Sequence, residues 1–119
     1  MADSTKKNSS DDDRQQTWDD FHDVVNMTAS RLEEWLGTDE SKDVGQHSKG
    51  TGESVGHDSG RHIVRILRAK KADLTDGDWA HMSKVHGYVA RHAAQRPSGD
   101  VTDTPWRWSL MNWGHDPLA

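Results

Sequence analysis

Three arginines, Arg61, Arg65 and Arg68, recur at intervals of four and three residues, and Lys84, Tyr88, Arg91 and Gln95 repeat at i, i+4, i+7 and i+11. On a helix, such spacings line side chains up along one face. Guanidinium and ammonium groups so aligned can meet successive backbone phosphates and release the counterions condensed there. Lys71 and Arg96 extend the two series, and Tyr88 adds a ring that can stack and a hydroxyl that can bond a phosphate. Trp108 stands beside Arg107 and across the helical wheel from Trp106 and Trp113, where it is available to stack on a base or anchor a protein partner. The plainer alternatives are a solvated cationic face and a second core layer that buries Trp108.

Other chemistry is poorly served. The chain has no cysteine, so it has no disulfide framework, no thiolate nucleophile and no cysteine-based zinc site. Eight histidines invite a metal, yet His57 and His62 are five apart, as are His81 and His86, and no pair has the i, i+4 spacing of a chelating helix face. No metal or other cofactor is expected, and His86 reads as a core residue. Gly-His-Asp occurs twice, at Gly56 to Asp58 and Gly114 to Asp116, and Ser59 follows the first. A hydrolase in which Asp58 orients His57 toward Ser59 is a remote alternative, because no nucleophile elbow or oxyanion hole is recognisable. No catalytic residues are assigned.

The elements that must position these groups read as helices throughout. Met1 to Gln16 is built mainly from Ser, Asp, Lys, Asn and Gln, too polar to offset the entropy of ordering, and is expected to be a disordered arm. Residues 17–119 then form one helical domain. Thr17 would cap a helix carrying Trp18, Phe21, Val24 and Val25, with Asp19 and Asp20 near its positive end. Thr28 caps a second, with Leu32, Trp35 and Leu36 inward and Gly37 as its stop, and Thr38 caps one further turn. Ser41 to Gly60, with five glycines, reads as a mobile loop. A basic helical hairpin follows over 60–96. Its first helix, from about Gly60 to Lys71, turns Ile63, Val64, Ile66 and Leu67 inward, and its second starts at Thr75 with Asp78 three residues on, a capping-box pattern. On that helix Trp79, Met82, His86, Val89 and Ala93 form the inward stripe. Thr104 and Pro105 open a last tryptophan-containing helix over 104–114, closed by Gly114. No segment alternates with period two, so the fold class is all-α, a small domain of about five helices.

Composition sets the limits. Only 31% of the 119 residues are apolar and mean hydropathy is -1.02, so six tryptophans must supply much of the core. No run approaches the roughly 18 consecutive apolar residues of a membrane span, and no apolar leader is visible, so the expectation is a cytoplasmic protein with no membrane association. The net charge of -5 conceals an asymmetry. Met1 to Gly60 carries 6 cationic and 14 acidic side chains, Arg61 to Arg96 carries 8 and 3, and Pro97 to Ala119 carries 1 and 3. A local excess of +5 can bind phosphate within an acidic chain, because fields act locally.

Several short runs also resemble a known family. They are Asn26-Met27-Thr28, Leu32 to Leu36, Gly52 to His57, Ser59-Gly60-Arg61 with Ile63-Val64 and Ile66-Leu67, Ala94 to Pro97, Trp106-Arg107, and Ser109 to Pro117. The chain resembles the domain-of-unknown-function 3140 family, small prokaryotic and fungal proteins often labelled DNA-binding. The resemblance implies no catalytic residue, metal ligand or cofactor. Where the family commonly has two basic residues after the glycine, this chain has Arg61-His62. The expectation is a non-enzymatic nucleic-acid-binding domain, with DNA favoured over RNA, using Arg61, Arg65, Arg68, Lys71, Lys84, Tyr88, Arg91, Arg96, Arg107 and Trp108. The alternative is a protein-interaction module built on the C-terminal segment.

Overall fold

The computed structural model describes the backbone of residues 2–44 and 55–119, and the side chains of these ranges from Asp12 onward. Among the described residues six α-helices form: α1 (Ala2–Val24), α2 (Ala29–Leu36), α3 (Asp39–Asp43), α4 (Val55–Arg68), α5 (Asp76–Ala93) and α6 (Pro105–Asn112), with a 3-10 turn at Lys71–Asp73 between α4 and α5. The fold is all-α, and no strand occurs among the described residues.

The expected caps set most of the helix starts. Oγ1 of Thr28, Thr38, Thr75 and Thr104 each accepts from the backbone N–H three residues on, in α2, α3, α5 and α6 respectively. At α5 the box closes both ways, because the Asp78 carboxylate also accepts from the Thr75 N–H at 3.0 Å. Pro105 occupies the first turn of α6, where its missing N–H costs nothing.

Three expectations about elements are corrected. First, Thr17 does not start the helix of Trp18 but lies inside it, because α1 spans Ala2–Val24. There Thr17 Oγ1 donates to the Asp13 carbonyl instead of capping. Side chains one turn apart reinforce this stretch, Gln15 donating to Asp19 and Gln16 to Asp20. Second, α4 starts at Val55 and stops at Arg68, earlier at both ends than expected. Gly56 and Gly60, which argued for loop, sit on the face of α4 that meets α6. A Cβ on Gly60 would come within 2.6 Å of the Asn112 carbonyl oxygen and of Leu36 Cδ2, and one on Gly56 within 3.2 Å of Trp113 Nε1. Here glycine serves close helix approach, which outweighs its poor helix propensity. Ser41 to Asp43 is also helical, and the middle of the expected loop, residues 45–54, lies outside the described residues. Third, α4 and α5 do not pack chiefly on each other as a hairpin: α4 packs mainly on α2, and α5 mainly on α1.

α6 joins the two pairs, touching α2, α3, α4 and α5. Phe21, Leu32, Ile63, Met82, Val85, Val101 and Leu110 are buried to 1% exposure or less, drawn from α1, α2, α4, α5, α6 and the segment before α6. Val85, absent from the expected stripe of α5, is fully buried, whereas Trp79, His86 and Ala93 are only half-buried.

Candidate functional site

The cationic residues divide into tethered and open groups. Arg65 Nη2 donates to Asp78 at 2.6 Å, and Arg68 grips Glu33 of α2 through Nη1 and Nη2 at 2.9 and 3.3 Å. The Arg68 guanidinium accordingly holds the Glu33 carboxyl below its usual range. Lys71 donates to Gln15 Oε1 and lies 4.9 Å from the Trp18 ring, a cation-π contact with α1. Arg61 is exposed on the same side of α4. Arg107 is not a surface cation in the expected sense: it reaches the buried Asp116 through Nε and Nη2 and the Thr102 carbonyl through Nη1. Lys84, Arg91 and Arg96 have no carboxylate within ion-pair distance among the described residues, and Lys84 and Arg91 are exposed on one side of α5.

Tyr88 departs from its expected place on that outer stripe. Its ring stacks on Trp113 at 4.2 Å with 16° between planes, and burial pushes its hydroxyl pKa up. It belongs to a column of near-parallel rings along α5: His62 to His81 at 4.2 Å, His81 to Trp113 at 6.0 Å, Trp113 to Tyr88, Tyr88 to His92 at 5.3 Å and His92 to Trp106 at 6.3 Å. Arg96 closes the far end, 5.6 Å from the Trp106 ring. Sequence reasoning missed this column, because its rings come from three separate elements and only Tyr88 and His92 lie one turn apart. Trp106 and Trp113 are buried in the core, and Trp108 is half-buried.

At the other end of the column, α4 and α5 bring four polar side chains together. Ser59 Oγ and His81 Nε2 are 2.9 Å apart, and His62 Nε2 is 2.7 Å from Asp78 Oδ1. Burial, then the charges of His62 and Lys84, push His81 down to a pKa of about 4, so it is neutral at physiological pH. Hydrogen bonds from the Thr75 backbone and from His62 hold Asp78 at about 2. Ser59 therefore pairs with His81, not with its sequence neighbour His57. His57 Nε2 instead meets the Leu36 carbonyl at 2.7 Å, which dismantles the expected Ser59, His57, Asp58 arrangement. A triad would also need the carboxylate on His81, whereas Asp78 is spent on His62 and Arg65. Among the described residues, no group of three or more His, Asp or Glu side chains could hold a metal ion.

The second Gly-His-Asp has a structural role. Gly114 has φ +80°, a left-handed conformation that suits glycine, and its carbonyl accepts from the N–H groups of Asn26 and Met27. His115 Nδ1 meets the Val24 carbonyl at 2.7 Å, and Asp116 takes the guanidinium groups of Arg31 and Arg107. Just before it, the buried Asn112 accepts from Trp35 Nε1 and Ser41 Oγ through Oδ1 and donates to the Ser41 carbonyl through Nδ2. The distinctive tail is thus a latch across α1, α2 and α3.

A protein-family model described as "Protein of unknown function (DUF3140)" matches residues 20–111, more than half of the chain. The chain belongs to the DUF3140 family. Neither a curated protein nor a solved structure matches it. The match runs from Asp20 in α1 to Met111 in α6, so it takes in both cationic helices and every ring of the column except Trp113. Among the described residues of this DUF3140 domain, no helix is long and apolar enough to cross a membrane.

Proposed function

We propose that this DUF3140 domain is a non-enzymatic nucleic-acid-binding domain, with DNA its first ligand, that holds backbone phosphates along α5. The observation that carries the reading is the pair Lys84 and Arg91, exposed on one side of α5 with no carboxylate partner among the described residues. Two helical turns set them about 10 Å apart along the axis. Arg96 adds an exposed cation past the helix end, beside the Trp106 ring. Arg61, Arg65 and Arg68 are a second, weaker set on α4, two of them already held by carboxylates. Arg65 is 64% exposed, and Arg68 and Glu33 are 49% and 62% exposed, so phosphate can compete for these guanidinium groups. The excess of five positive charges between Arg61 and Arg96 supports the same reading.

The test is fluorescence anisotropy of a labelled duplex across a salt series. Binding should weaken linearly in log-log coordinates, and Lys84→Ala with Arg91→Ala should lower affinity and flatten the slope by about two. A flat titration at low salt would sink the proposal.

A further inference from the structure

Between the N-terminal half of α4 and the middle of α5 lies a cavity of about 170 Å³, room for a few water molecules at roughly 30 Å³ each. Its wall includes Ser59, His62, His81, Lys84, Trp113 and, from α4, Asp58. We propose that this cavity binds a tetrahedral oxyanion of the phosphate class, and that the natural source is a phosphate monoester at the end of a nucleic-acid strand. This deepens the nucleic-acid reading and, in its choice of source, rests on it.

The donor set carries the argument. Lys84 supplies a cation that no carboxylate among the described residues neutralises. The bond between Ser59 and His81 leaves one donor over whichever way the proton lies. If the Ser59 hydroxyl donates to Nε2, the His81 Nδ1–H remains, and if Nε2–H donates to Ser59, the hydroxyl proton remains. His62 is anchored by its Nε2 to Asp78, which leaves Nδ1 as the ring nitrogen without a protein partner among the described residues. Ser59 is only 4% exposed, so its side chain answers to the cavity and not to bulk solvent. Asp58 is exposed and opposes an anion, but it is one carboxylate against Lys84, the one donor left over by the Ser59 and His81 pair, and the His62 ring, and solvent screens it. The cavity has room for a compact oxyanion, and a terminal phosphate monoester brings three unesterified oxygens and a charge of about -1.5 to -2 to its donors, where a diester within a continuous backbone brings two oxygens and a single charge.

The test begins with the full chain and inorganic phosphate, followed through the imidazole C–H resonances of His62 and His81 in NMR. Saturable shifts of these two rings are expected, with the other histidines unmoved. Absent or non-saturating shifts would overturn the site, whatever the outcome of duplex binding. The source is then separated by anisotropy with duplexes carrying 5′-phosphate or 5′-hydroxyl ends. A tenfold or greater preference for the phosphorylated end, collapsing in Ser59→Ala and in His81→Gln, is the expected result. Phosphate shifts without an end preference would overturn the assignment to strand termini. Loss of all duplex binding with the phosphate shifts intact would overturn the α5 reading instead.

Discussion

Arg107 holds Asp116 in a fork of two hydrogen bonds, Nε to Oδ1 and Nη2 to Oδ2, each 3.1 Å long. Arg31 adds a third at 2.6 Å from the other side, and the carboxylate is 2% exposed. Burial pushes the Asp116 pKa up, but the hydrogen bonds from Arg107, the Leu118 N–H and Arg31 outweigh it and hold the group ionised.

Removing the carboxylate leaves Arg107 with an 18% exposed side chain and no directly bonded counter-charge, only the more distant Asp100. Asp116→Ala is therefore expected to destabilise the fold by about 3–5 kcal/mol, the range for breaking a buried pair from one side. Arg31→Ala should cost far less, since the fork survives. Urea unfolding of the two variants gives the comparison, and equal losses would show that the fork is not the anchor of the latch.

Gly60 and Gly77 separate packing from propensity. Both lie in helices, where Ala is preferred by about 1 kcal/mol. At Gly77 a Cβ finds its nearest neighbour, Thr75 Oγ1, at 3.7 Å, so Gly77→Ala should stabilise by about 0.4–1 kcal/mol. At Gly60 the Cβ would strike the Asn112 carbonyl, and Gly60→Ala should destabilise by about 1–3 kcal/mol despite the better helix former. Thermal midpoints moving in the same direction would refute the close approach of α4 to α6.

Stability should also depend on pH through His81. The unfolded imidazole titrates near 6.5 and the folded one at about 4, so between these values the unfolded chain holds a proton that the folded chain lacks. The His81 contribution is thus constant above about pH 6.5 and is lost on acidification toward pH 4, and because the ring is partly exposed solvent screening limits the loss to about 1–2 kcal/mol. Asp78, at about 2 against 3.8, continues the loss in the same direction at lower pH. Urea midpoints at pH 7.5, 5.5 and 4.5 measure the first step, which His81→Gln should flatten. A wild type equally stable at 7.5 and 4.5 would mean that His81 titrates normally.

Glu33 competes with phosphate for Arg68. Glu33→Gln should raise duplex affinity a few-fold at low salt and steepen the salt slope by about one, as one more guanidinium becomes available. Unchanged anisotropy curves would confine phosphate contacts to α5.

The caps of α2, α3, α5 and α6, the inward faces of α2 and α4, and the all-helical class were legible in the chain itself. Capping and amphipathic spacing act within a few residues and leave their marks in local order. Thr75 with Asp78, and Thr104 with Pro105, needed no partner from elsewhere. What α4 and α5 do with their charges was decided only by tertiary contacts. Glu33 reaches Arg68 across 35 positions and Arg31 reaches Asp116 across 85, separations at which no spacing rule operates. The glycines of α4 pointed locally to loop, and α6 made them contact surface. Tyr88 looked polar on its own wheel, yet Trp113 covers its ring. Periodicity assigns each helix a face, but which neighbour that face meets depends on chain segments that sequence order keeps apart.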